Sequence, residues 1–181
     1  MEKSEHYIYM VIDTLSCKIK YIGKGKGRRS FNILSGTSNN YKANQAYHRG
    51  LTNNCVVYRV FQDLPDDFAS FIEKALIYTM QPEWNSDHIG IPPDVDYEYY
   101  MLGWRLDTFI DLLRKGMWRE TSDRFDLFPA VAHMLWCKSS NEVVEYLRTS
   151  DVRADKNFYE SVFNIWYVCQ DVAKEKAEYH F

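Results

Sequence analysis

Residues 6–12 (HYIYMVI) are aromatic or aliphatic almost throughout, and a two-residue period sends Tyr7, Tyr9 and Val11 to one face and Ile8, Met10 and Ile12 to the other. That is the pattern of a β-strand covered on both sides. Residues 19–22 repeat the composition after a turn-rich stretch at 13–18, so the two runs read as a hairpin, with Ile19, Tyr21 and Gly23 on one face of the second strand. Tyr9 and Tyr21 then stand side by side. A glycine-rich segment follows, Gly23-Lys-Gly-Lys-Gly-Arg-Arg, which reads as a flexible basic loop leading into a short helix at 28–34 and a second at 40–50. Residues 55–61 (CVVYRVF) form a third strand. Leu64-Pro-Asp-Asp announces a helix with an Asp cap, whose buried stripe is Phe68, Ile72, Ala75, Leu76 and Thr79 and which ends before Pro82.

Beyond residue 85 the pattern changes. Residues 88–100 carry Pro92-Pro93 and several acids and read as a linker, after which helical spacing recurs at 106–115, 128–138, 140–148 and 155–179. Ser140-x-Glu142 is a cap signal, and Phe158, Val162, Ile165, Trp166 and Cys169 form the stripe of the last helix. The expected fold class is α+β: a three-stranded antiparallel sheet flanked by helices over 1–88, then an all-α domain over 89–181.

Composition narrows the class. A hydrophobic share of 46% and a charged share of 26% suit one globular chain of 181 residues. No apolar run reaches the roughly 18–20 residues of a membrane span, and the start lacks the basic-then-apolar layout of a secretion signal, so a cytoplasmic location is expected. Cys17, Cys55, Cys137 and Cys169 lie far apart with no CxxC pair, which argues for reduced core thiols over a zinc site or a disulfide framework. The net charge of −3 hides a skew: residues 1–85 hold 11 Lys and Arg against 8 Asp and Glu, residues 86–181 hold 11 against 17. Residues 1–60 carry 10 basic and 3 acidic side chains, four of the basic ones within 24–29. This favours a local site for a polyanion over bulk attraction.

The glycine-rich segment is not a P-loop, because no Gly-Lys-Ser/Thr follows, nor a dinucleotide fingerprint, because the strands before it form a hairpin. Its place between a strand and two arginines suits guanidinium contact with a phosphate. Tyr7-Ile8-Tyr9, eleven residues, Tyr21-Ile22-Gly23, then Lys24-Gly25-Lys26-Gly27 and Arg29 together resemble the GIY-YIG nuclease superfamily, in the subset whose second motif runs YIGKGKGxR. Glu73 on the helix after the third strand and Asn85 a dozen residues on fit the same pattern. Pro-x-Trp-Asn is similar to the way the domain ends in phage members of the family. The resemblance covers about residues 6–88. Two departures stand out: the first motif reads YIY where the family has GIY, and Tyr41, Lys42, His48 and Arg49 compete for a basic position in the following helix, with Asn40-Tyr-Lys favouring Lys42.

What the resemblance implies is a Mg²⁺-dependent (or Mn²⁺-dependent) endonuclease. Tyr9 would be the general base, its phenol acidified by Lys42 and Arg29, and Tyr21 would orient water or phosphate. Arg29 would clamp the non-bridging oxygens, Glu73 would hold the metal, and Asn85 would tie the helix end to the site. Lys24, Lys26, Arg28, His48 and Arg49 would meet nucleic acid, double-stranded DNA above all, and the helical part would select a target, a protein partner or a second copy of the chain. The setting implied is a bacterial or phage-infected cell. Singly, each residue has a plainer reading: Tyr9 as packing, Arg28 and Arg29 as solvated charges, Glu73 as a structural salt bridge, and the aromatic residues of the tail as a helical core or interface. The rival function is a catalytically idle module of the same fold that binds nucleic acid or a protein.

Overall fold

In the computed structural model, which describes residues 6–85, 96–115, 128–137, 139–149 and 156–180, three strands form an antiparallel sheet in the order β2-β1-β3. They are β1 (His6–Asp13), β2 (Lys18–Lys26) and β3 (Cys55–Leu64). A 3-10 turn at Arg29–Leu34 and helix α1 (Tyr41–His48) connect β2 to β3, and α2 (Asp66–Met80) follows β3. The expected α+β class is present, and among the described residues the second half is helical: α3 (Tyr97–Arg114), α4 (Phe128–Trp136), α5 (Ser140–Thr149) and α6 (Lys156–His180) complete the order.

The alternation of β1 divides the core in two. Ile8, Met10 and Ile12 join Ile22 against Ala69, Ile72, Ala75 and Leu76 of α2, whereas Tyr7, Tyr9 and Val11 lie under Ile33, Ala43, Ala46 and Trp84. Complete burial of side chains such as Ile8 or Met10 contributes about 1.5–3 kcal/mol each. One expected face is reversed. The register slips between Val11 and Ile12, whose partners are Tyr21 and Ile19, so Lys20 is an extra residue. The bulge turns Ile19 to the α2 side and leaves Tyr21 with Tyr9.

Local signals explain most boundaries. Asn40 caps α1 by accepting from Ala43 N at 2.8 Å. At α2 the expected Asp cap is replaced by Pro65, with Asp66 and Asp67 in the first turn where the helix dipole favours them. The buried stripe runs through Ala69 and leaves Phe68, expected inside, 48% exposed. Ser139, not Ser140, caps α5, its hydroxyl oxygen accepting from the Glu142 N–H at 3.3 Å.

Helix α3 begins well before the expected 106, taking in part of the stretch read as a linker. Tyr99, Tyr100, Met101, Leu102 and Trp104 are all buried, and this burial outweighs the local linker signal. Tyr99 stacks on Phe71 at 6.4 Å and Tyr100 meets Tyr78 edge-on at 5.6 Å. Gly103 brings α3 onto α2 at Thr79: a Cβ there would lie 1.9 Å from the threonine hydroxyl. Trp136 of α4 packs on Phe61 of β3, so the buried cluster on the α2 side of the sheet runs on into the tail helices. The expected boundary at 88/89, and Phe158 and Val162, lie outside the described residues or side chains. All four cysteines are free thiols. Among the described residues no helix is long and apolar enough to cross a membrane.

Candidate active site

Strand β2 is an edge strand, and an edge presents unpaired backbone groups that must find partners. Here short pieces of chain supply them. Trp84 N donates to Lys20 O at 2.8 Å, Asn85 accepts from Ile22 N at 2.9 Å and donates to Ile22 O at 2.7 Å, and Lys24 N donates to Glu73 Oε1 at 2.6 Å. Asn85 thus replaces one residue of a missing strand. Its own backbone is held from the other side: Lys42 Nζ donates to Asn85 O at 3.2 Å and Asn40 Nδ2 to Trp84 O at 2.9 Å. Asn85 is expected to tie the end of α2 to the loop beside the site; its side chain bonds Ile22 of β2 instead, and Lys42 holds its carbonyl.

Where the edge passes Gly23, the two faces of the sheet meet. Gly23 pairs with Tyr9 across the strands. A Cβ on Gly23 would lie 2.6 Å from a ring carbon of Tyr21 and 2.8 Å from the hydroxyl of Tyr9, so the missing side chain is what lets both rings close over the backbone. The rings are 5.8 Å apart and tilted, and the two phenols influence each other's charge. Glu73 arrives from α2 on the opposite side, and Arg29 from the first residue of the 3-10 turn. Tyr9 and Tyr21 both feel the charges of Arg29 and Glu73, and Glu73 feels that of Arg29.

The electrostatics are those of a desolvated site. Burial pushes Tyr9, 2% exposed, well above the ordinary phenol value, with Tyr21 acting in the same sense and Arg29 opposing. Tyr21 is raised by burial and by Glu73, but Tyr9 and the charge of Arg29 favour its anion. The expected acidified phenol at Tyr9 is thus not what the surroundings produce. Glu73 is raised by burial in spite of the Lys24 N–H and the charges of Lys24 and Arg29.

The basic segment is more ordered than its glycines suggest. Strand β2 continues through Lys26 because the Tyr7 ring covers Gly25 as Tyr9 covers Gly23. The turn is confined to Gly27, at φ 58°, and Arg28. Lys24 faces α2, its ammonium 2.6 Å from Asp66 and 2.9 Å from Ser70. Lys26, Arg28 and Arg29 are exposed, and so are His48 and Arg49, which close α1 about 9 Å along the axis from Lys42.

Two side chains matter to which the motif reading gave no role: Arg59, which it did not name, and Tyr7, noted only as a departure from GIY. Arg59 lies 4.0 Å over the Tyr7 ring and bonds Gly27 O at 2.7 Å and Ser30 Oγ at 3.2 Å. The Tyr7 hydroxyl donates to Gly27 O at 3.0 Å and accepts from Ser30 N at 3.1 Å. Together they fasten the turn that carries Arg28 and Arg29. A lone arginine inside an otherwise apolar strand was the available signal, since a charge placed there needs partners. The sequence also holds no Asp or Glu between residues 14 and 62, against nine Lys and Arg. Both the 3-10 turn and α1, which cover the tyrosine face, lie within that span.

Among the described residues no three His, Cys, Asp or Glu side chains gather as a metal cage. The donor available at this site is one carboxylate, with Oε1 fixed by the Lys24 N–H and its charge poorly solvated. That suits a magnesium ion, which keeps most of its waters and takes one or two carboxylates together with substrate oxygens. No protein-family profile, curated protein or solved structure matches the chain.

Proposed function

We propose that the chain is a metal-dependent endonuclease of the GIY-YIG type, hydrolysing phosphodiester bonds of nucleic acid, DNA above all, at the edge of β2. The observation that supports this is the convergence of Tyr9, Tyr21, Arg29 and Glu73, spread over 65 positions of sequence, into one charge-coupled cluster around a glycine. Mg²⁺ or Mn²⁺ held by Glu73 would supply positive charge to the phosphodiester. Arg29 would grip the non-bridging oxygens, where the transition state accumulates negative charge. Of the two phenols, Tyr21 is the better general base, because only a phenolate can take the proton of the attacking water and the surroundings oppose that anion less at Tyr21 than at Tyr9. Its side chain is less covered by the rest of the chain, and both Tyr9 and Arg29 favour its anion. Tyr9 is then a positioning residue that stabilises the Tyr21 oxygen. The acid-free span from 14 to 62 supplies the surface for the phosphate backbone.

The test is incubation of the full chain with supercoiled plasmid and, separately, with RNA, in Mg²⁺ and in EDTA. Cleavage leaving 5′-phosphate and 3′-hydroxyl ends, lost in EDTA and in Glu73→Gln while that variant still binds, is the expected result. Gln keeps the acceptor for the Lys24 N–H, so the variant isolates the charge. Binding without cleavage by the wild-type chain would favour the idle module instead, and cleavage by Glu73→Gln at the wild-type rate would remove Glu73 from the reaction.

A further inference from the structure

The 3-10 turn after the basic segment has three sides. Its period of three residues buries Ser30 and Ile33, 2% and 1% exposed. Phe31 N donates to Arg28 O at 3.1 Å, so Arg28 and Phe31 stand one above the other on a single side of the turn, with Arg29 on the side next to it. Both arginines are exposed, and the Phe31 ring is 64% exposed. The turn packs on the tyrosine face through Ile33, which leaves the larger Phe31 ring to solvent.

That ring is nevertheless supported. The Arg59 guanidinium lies 5.4 Å over Phe31 and 4.0 Å over Tyr7, and it is fixed by its bonds to Gly27 O and Ser30 Oγ. A cation held in this way covers one face of the ring, so the exposed area is the other face and the edge.

An aromatic face beside two exposed arginines matches a nucleotide: the base stacks on the ring and the arginines meet its phosphate. The charge of the neighbourhood is complementary, since no Asp or Glu lies between residues 14 and 62. Arg59 decides between two uses of the ring. A wedge pushed between stacked base pairs needs both faces free. A platform for a base that has left the stack needs only one.

We propose that Phe31 is a stacking platform for an unpaired base, which directs the site to DNA carrying a base out of the helix beside the phosphate that Arg28 and Arg29 meet; the phosphate contacts rest on the nuclease reading above. A base that is already unpaired has little pairing and stacking to give up, so it reaches the ring at less cost than one drawn from an intact duplex. Phe31 offers no hydrogen bond, and the platform therefore accepts any base.

The experiment is fluorescence anisotropy of the full chain in EDTA with three end-labelled duplexes: one fully paired, one with a single unpaired adenosine, and one with an abasic residue in place of that adenosine. The unpaired adenosine should tighten binding about tenfold over the abasic residue, the effect of one stacked base. Phe31→Ala should remove that preference with an unchanged melting temperature, and Phe31→Trp should keep it. Arg28→Ala should weaken binding to all three duplexes alike. No binding, equal affinity for the adenosine and abasic duplexes, or a preference that survives in Phe31→Ala would each overturn the proposal, even if the chain cuts plasmid in Mg²⁺. The preference in a chain that cuts nothing in Mg²⁺ would uphold the platform and leave the chain an idle module.

Discussion

The guanidinium of Arg59 lies 4.0 Å from the centre of the Tyr7 ring, and the two side chains grip the same turn from two directions, both bonding Gly27 O. Tyr7 takes the place of the first glycine in the GIY pattern that the chain resembles, yet its hydroxyl also receives the Ser30 N–H, one residue past Arg29. Tyr7→Phe keeps the ring over Gly25 and removes only these bonds. It should lower stability by about 1–2 kcal/mol and, because Arg29 loses its anchored backbone, reduce single-turnover cleavage by roughly tenfold, a loss of about 1.4 kcal/mol in transition-state stabilisation. Urea unfolding and cleavage kinetics on the same preparation check both. An unchanged cleavage rate with reduced stability would confine Tyr7 to the fold.

Gly23→Ala tests the closure of the tyrosines over the edge strand. The added methyl would fall 2.6 Å from Tyr21 and 2.8 Å from Tyr9, too close for either ring to keep its place. Overpacking of this kind costs about 1–3 kcal/mol. The larger expected effect is on chemistry, since both hydroxyls move: cleavage should fall below detection while affinity for uncut DNA holds. Gly27→Ala is the comparison, because a Cβ there meets nothing within 4 Å and only its positive φ resists.

How far these relationships could be read in advance differs by residue. The alternation of Tyr7, Tyr9 and Val11 with Ile8, Met10 and Ile12 is a local pattern, and the sheet keeps it. Ile19 escaped because a bulge at Lys20 is a property of two paired strands, not of either alone. Glycines at 23 and 25 read as loop because their reason, a tyrosine ring lying across each, depends on the neighbouring strand. Residues 97–105 read as a linker or as nothing regular because their helix is stabilised by Phe71, Tyr78 and Trp136 from elsewhere in the chain. Glu73 and Asn85 were legible through their spacing, but not the task they share, which is completing the edge of β2.

Asp13 should make the hairpin sensitive to acid. Burial is the strongest single influence and works against its charge, but the Ser16 hydroxyl at 2.8 Å, the N–H groups of Leu15 and Ser16 and the charge of Lys20 together outweigh it and hold the carboxyl below its ordinary range. A group whose pKa is depressed on folding stabilises the fold above its unfolded pKa, about 3.9, and loses that contribution as pH falls through the lower folded value. Asp13→Asn keeps an acceptor for the turn and cannot titrate. The wild-type chain should therefore exceed the variant by up to about 1 kcal/mol near neutrality, with the gap closing below about pH 4. Chemical denaturation at a series of pH values measures this, and a gap constant across that window would exclude the mechanism.

The last prediction concerns what the tail helices do for the sheet. Buried Phe61 packs on Trp136, and the partly buried Phe71 and Tyr78 pack on Tyr99 and Tyr100, so a fragment ending at residue 88 would expose three more aromatic surfaces on its α2 side. A three-stranded unit of fewer than about ninety residues has little stability to spare, and an apolar patch of that kind promotes association. The fragment is expected to be poorly soluble and to bind a hydrophobic dye. Gly103→Ala makes the same point within the whole chain: its methyl would drive against Thr79 and separate α3 from α2. A loss of about 1–3 kcal/mol, read as a lower melting temperature, is the expected effect. A fragment that melts at the temperature of the full chain, together with an unaffected Gly103→Ala, would mean that the sheet and α2 hold without the tail.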